Sequence, residues 1–121
     1  MYDIWSYPED VHRHVSQGNA WIGYDVEATD GSIGKIDEAT YDAGASYVVV
    51  DTGPWIFGKK VLIPAGVIQR IDSTEEIVYL DRTKDQVKAS PEFDERTYME
   101  PTYRDQIGTY YGPDGPGYRG L

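Results

Sequence analysis

Between residues 20 and 82 the chain alternates between apolar and polar positions in short bursts with a period of two. Ile22, Tyr24, Val26 and Ala28 alternate with Gly23, Asp25 and Glu27, which predicts a strand with one apolar and one polar face. Asp30-Gly31 follows and predicts a tight hairpin turn, because glycine accepts a positive φ. The next segment, 33–41, alternates less cleanly, and Gly34 within it predicts a bulge or a sharp bend of the kind barrel corners need. Tyr47-Val48-Val49-Val50 is apolar at every position, so it is expected inside a sheet, covered on both faces. Left bare, such a run would pair with other chains. Val61-Leu62-Ile63 is closed by Pro64, and residues 67–71 and 77–80 give two more strands, separated by the polar Asp72-Ser73-Thr74-Glu75. Short strands with turns of a few residues predict an all-β fold, a small, highly bent barrel of about six strands.

Beyond the strands the pattern changes twice. Thr83-Lys84-Asp85-Gln86 has the Thr-x-x-Gln form of a capping box, in which each side chain serves an otherwise unpaired backbone N–H. It predicts a short helix to about Ala89, ended by Ser90-Pro91 because a residue before proline avoids the helical region. From residue 92 onward the chain is rich in Tyr, Gly and Pro: Tyr98, Tyr103, Tyr110, Tyr111 and Tyr118 stand among Pro101, Pro113 and Pro116. This composition predicts an irregular tail. Its tyrosines want partly buried surface and a partner for the hydroxyl, so the tail is either an arm along the barrel or along a second subunit, or a loose terminus. Three parts follow: 1–19 as an N-terminal segment with a short helical turn, 20–91 as the barrel, and 92–121 as the arm.

The ordered set Ile22-Gly23-Tyr24-Asp25-Val26, Asp30-Gly31-Ser32-Ile33-Gly34-Lys35-Ile36, Tyr47-Val48-Val49-Val50, Gly58-Lys59-Lys60-Val61-Leu62-Ile63-Pro64 and Asp85-Gln86-Val87 before Ser90-Pro91 resembles the PRC-barrel family. The resemblance spans about residues 20 to 91. It implies a docking module and not an enzyme, and it offers no catalytic motif to transfer. Two branches of that family, one in the photosynthetic reaction centre behind a membrane helix and one in a ribosome maturation factor behind another barrel, are not the expected match, and the chain is similar to the stand-alone barrels.

Charge narrows the partners. The formal net charge is −10, with 3 acids and 1 base in residues 1–18, 12 and 7 in 19–90, and 6 and 3 in 91–121. A field this evenly negative repels a phosphate polymer, whose binding relies on Lys and Arg displacing counterions, so no nucleic-acid partner is expected. The chain has no cysteine, which removes disulfides, thiolate metal sites and cysteine nucleophiles. Asp3, Glu9 and Asp10 stand where a secretory leader needs a basic end and an apolar run. The uncharged stretch 43–50 is far short of the ~20 apolar residues of a spanning helix. No integral membrane segment and a cytoplasmic location are expected.

Catalytic patterns fail on context. Gly44-Ala45-Ser46-Tyr47-Val48 lacks the last glycine of a nucleophile elbow and runs into a strand. Gly31-Ser32-Ile33-Gly34 has no helix start behind it, as a phosphate loop requires. The adjacent carboxylates Asp37-Glu38 and Glu75-Glu76 point to opposite faces of a strand and do not converge on one bond. No catalytic residue, cofactor or metal is assigned. His12 and His14 are the one alternative: on a strand they share a face and could serve a metal- or small-molecule-sensing site with Glu9 or Asp10, but on a helical turn they diverge.

The aromatic residues remain. Trp5, Trp21 and Trp55, with Tyr2, Tyr7 and Phe57, could form a core cap near the N-terminal segment. Trp55-Ile56-Phe57 sits in a Gly-Pro turn, where side chains are normally polar. These three are either a lid folded onto the core or a surface offered to a partner. They are candidate interface residues together with Tyr110 and Tyr111, the simplest partner being a second copy in a homodimer and the other an unidentified protein.

Overall fold

The computed structural model describes residues 4–9, 11, 21–40, 46–53, 59–113 and 115–118. Within them six strands follow in chain order: β1 (Asp25–Ala28), β2 (Gly31–Ala39), β3 (Tyr47–Asp51), β4 (Lys60–Pro64), β5 (Ile68–Asp72) and β6 (Ile77–Leu80). The apolar run 47–50 is buried at every position and lies between β2 and β4, as its pattern requires. Two local details differ from the alternation. Gly23 takes φ +89° and its N–H donates to Ile36 O at 2.8 Å, so residues 21–23 turn and Ile22 faces solvent instead of the core. The first hairpin also turns one residue early: Ala28 pairs with Gly31, leaving Thr29 and Asp30 as the turn.

Gly34 does mark a bulge. It opposes Val26, and Ile33 is the extra residue before Glu27 pairs with Ser32. A second irregularity falls between Ile36 and Glu38. Such insertions bend a strand and increase its twist, so β2 carries the curvature of the sheet.

The strand order is β4-β3-β2-β1-β6-β5, with β1 parallel to β6 and every other pair antiparallel. The two edge strands are consecutive in the chain, joined only by the 3-10 turn Ala65–Val67. A flat sheet of this order would hold its edges roughly 24 Å apart at about 4.8 Å per strand. The link from Pro64 to Ile68 reaches at most ~14 Å. The sheet must therefore curl until its edges approach, although no ladder joins β4 to β5. Val26, Ile33, Val48, Leu62, Ile68 and Leu80 fill the interior with almost no exposure, each burial stabilising by about 1.5–3 kcal/mol. Tyr7 and Trp21 cap one side, edge to face at 5.8 Å.

Helix α1 (Lys84–Lys88) has the expected capping box: Gln86 N donates to Thr83 Oγ1 at 3.1 Å and Thr83 N donates to Gln86 Oε1 at 2.9 Å. The arm departs from expectation. It contains an eleven-residue helix, α2 (Pro101–Tyr111), where its Gly and Pro content predicted irregular chain. Pro101 lies in the first turn, where its missing N–H costs nothing. Tyr103, Ile107, Tyr110 and Tyr111 make one buried stripe, the i, i+4, i+7, i+8 spacing of an amphipathic helix. The helix packs against β4, and Tyr103 and Tyr110 of the stripe donate to Pro91 O and Gln86 O.

Candidate functional site

Trp55, Ile56 and Phe57 lie outside the described residues, as do His12 and His14. What is described is the mouth from which the 54–58 connection leaves the sheet. Thr52, buried, donates through Oγ1 to Lys59 O at 2.8 Å and through its N–H to the same oxygen at 3.3 Å. Gly53, at φ +55°, donates its N–H to Asp51 Oδ1 at 2.9 Å. The two ends of the connection are thus held within one hydrogen bond of each other. On the exit side Lys59 Nζ meets Glu92 at 2.7 Å, while Lys60 Nζ meets Asp37 at 3.0 Å and Glu95 at 3.3 Å. Beside the mouth runs an open groove of about 610 Å³, bordered by Ile33, Gly34, Thr52, Gly53 and Lys84.

Tyr110 and Tyr111 are placed together, at the far end of the arm. Their rings meet edge to face at 4.9 Å and both are buried. Tyr110 OH donates to Gln86 O at 2.5 Å, and burial raises its pKa. Their neighbours are this chain's own residues, so these two rings fasten the arm to the barrel.

The fastening centres on Arg82, which sequence reasoning passed over. It is fully buried. Nε donates to Gly117 O at 2.5 Å, Nη2 to Tyr111 O at 3.3 Å, and Nη1 to the Asp81 carboxylate. A guanidinium is suited to this, since its planar fork offers five donors in fixed directions. The arm has a second anchor. Tyr98 OH donates to the Glu38 carboxylate at 3.1 Å to each oxygen, and its ring meets Tyr47 edge to face at 6.2 Å. Nothing near either residue in sequence announces these pairings.

Burial pushes the Tyr47 hydroxyl up to about 12, with the charge of Glu38 adding to it. Burial also holds the hydroxyls of Tyr103 and Tyr111 well above the usual phenol range. The folded chain thus keeps protons that an unfolded tyrosine gives up near pH 10. Their contribution to stability is complete below about pH 10 and vanishes as pH climbs through the folded values, from about 12 upward. Phenolate absorbance should therefore rise in two stages, the second coinciding with loss of the β-sheet circular dichroism. A single curve near pH 10 for all 11 tyrosines would contradict the burial.

Comparison with known families decides the fold's kinship. A family model, the PRC-barrel domain, matches residues 14–87. The chain belongs to the PRC-barrel family. Among curated proteins none matches it. PRC-barrel domains serve in general as protein-interaction modules and are generally non-catalytic. In this PRC-barrel protein α2 and the residues leading to it lie beyond the matched segment. Among the described residues no three His, Asp or Glu side chains gather as a metal site, and no helix is long and apolar enough to cross a membrane.

Proposed function

We propose that this PRC-barrel protein is a non-enzymatic docking module that receives a protein partner at the 55–57 turn and the strand ends beside it. The observation that carries this reading is the clamp of Thr52 on Lys59 O, which confines three large apolar residues to a connection five residues long. Adjacent residues of an extended segment point to opposite sides, so one underlying groove does not accommodate all three. Among the described residues the exposed large apolar side chains are Ile22 and Met99 alone. They stand singly, the ordinary condition of a protein surface, whereas the 55–57 turn offers the proposed docking surface three adjacent large apolar residues. A second copy of the chain is the simplest partner, and the cysteine-free composition suits the cytoplasm.

Trp55→Ser combined with Phe57→Ser tests the reading. The expected variant keeps its circular dichroism and melting temperature within a few degrees, yet elutes as a smaller species or loses a partner that purifies with the wild type. Global unfolding would instead make the turn part of the core and end the proposal.

A further inference from the structure

The edge strands β4 and β5 meet at the Ala65–Val67 turn without sharing a ladder. Val61, Leu62 and Ile63 are nevertheless buried, although β4 is an edge. A bare edge of this kind is a pairing hazard, and covering it with a helix is one remedy. α2 lies on β4, while its last turn is held at the end of β6, the neighbour of β5, through Arg82. The helix thus lies against the edge strand β4 and is held at its last turn by Arg82, just beyond β6.

Several features mark this helix as a resident ligand of the barrel. It stands outside the family match, which ends at residue 87. Its seated face is a helix-in-groove stripe of Tyr103, Ile107, Tyr110 and Tyr111, the spacing by which amphipathic helices occupy grooves on other proteins. No side chain caps its N-terminus. Gly108 weakens its middle and is where Trp5 packs, a Cβ there falling 3.2 Å from the indole nitrogen. The guanidinium of Arg104 lies 4.9 Å over Trp5 while its Nε is buried without a partner. The lead into the helix is tied by Tyr98 to the Glu38 carboxylate and by the exposed pairs Lys59–Glu92 and Lys60–Glu95, and the exposed pairs contribute little. The deepest grip, Arg82 on Tyr111 O and Gly117 O, reads backbone carbonyls that any copy of the segment presents.

From this we infer that the seam beside β4 is a helix-docking groove, and that its occupant in trans is the α2 of a second copy of this chain. The linker 89–100 spans up to about 40 Å when extended, long enough for two copies to exchange helices. Such exchange of an identical element is a low-cost route to a dimer. This inference is tested by different variants from those that test the 55–57 turn, so failure here leaves the docking reading standing.

A fluorescein-labelled peptide of residues 98–118, titrated into the full-length chain and followed by polarisation, tests the inference. Saturable binding is expected to the wild type. Binding at least about tenfold tighter is expected to an Ile107→Ala chain, whose own helix competes less because truncation in a packed site shifts the equilibrium by that much or more. A peptide carrying Ile107→Ala should bind correspondingly weaker. Light scattering of the wild-type chain should show a dimer share that rises with concentration. No saturable binding to a folded Ile107→Ala chain, or equal affinity for both chains, overturns the groove. Peptide binding with the chain monomeric at every concentration overturns the second-copy assignment. If Ile107→Ala unfolds the protein, hydrogen exchange of the wild type decides: residues 98–118 exchanging ahead of β3 and β4 supports a seated ligand, and equal protection overturns it.

Discussion

Replacing Arg82 by Leu is expected to lower the unfolding free energy by about 3–5 kcal/mol, the usual cost of removing one member of a buried ionic network. Leucine fills part of the volume but leaves the Asp81 carboxylate, Gly117 O and Tyr111 O without the donors they now have. Each orphaned acceptor carries a desolvation penalty of about 1–3 kcal/mol. Urea titration should show the midpoint falling, with hydrogen exchange accelerated first in residues 101–118. Arg82→Lys should recover less than half of the loss, because a point ammonium cannot serve acceptors lying in three directions. A change of under about 1 kcal/mol for Arg82→Leu would mean that the arm is held elsewhere, and the role given to this residue would be wrong.

Gly34→Ala is the second large effect. At φ +150° the backbone is already one that side chains rarely adopt, and the new Cβ would stand 2.0 Å from Asp51 O and 2.9 Å from Thr52 Cα. Those are backbone atoms of the neighbouring strand, so no rotamer change relieves the overlap. The strands must separate at the bulge that curves β2. We expect a loss above about 3 kcal/mol, combining strain with overpacking. Gly53→Ala is the matched control: it also has positive φ, +55°, but open space around the Cβ position. Its cost should stay near 1–2 kcal/mol. Equal melting temperatures for the two variants would show that conformation and not the close approach of strands governs Gly34.

The barrel was legible because alternation and burial are the same physics seen from two sides. The run Tyr47-Val48-Val49-Val50 could only be a covered strand, and the Thr83–Gln86 spacing could only cap a helix usefully. The pattern misleads where one residue type has more than one structural use. Asp30-Gly31 predicts the turn, but Gly31 opens β2 after a Thr29-Asp30 turn. Proline and glycine in the arm predict breaks, although Pro101 sits where a helix tolerates it and Gly108 where Trp5 needs the room. For Tyr110 and Tyr111 the sequence predicts rings at an interface; in the folded chain both are buried, with Tyr110 OH on Gln86 O and Arg82 beside the Tyr111 ring. Arg82 itself was illegible. Beside Asp81 it looks like any surface charge, and the partner that defines it, Gly117, lies 35 residues away.

The parallel pairing of β1 with β6 has a consequence for the order of events on the ribosome. β1 finds β2 across a two-residue turn, but Asp25 waits for Ile77 before its other edge is filled. Such distant pairings slow folding relative to local ones, so the meander β1 to β4 can assemble while the sheet is still unclosed. Arg82 emerges next and stays hydrated until Gly117 follows it. The sheet can therefore curl before the buried cation is enclosed, which makes the Arg82 grip on Gly117 O a late step of folding.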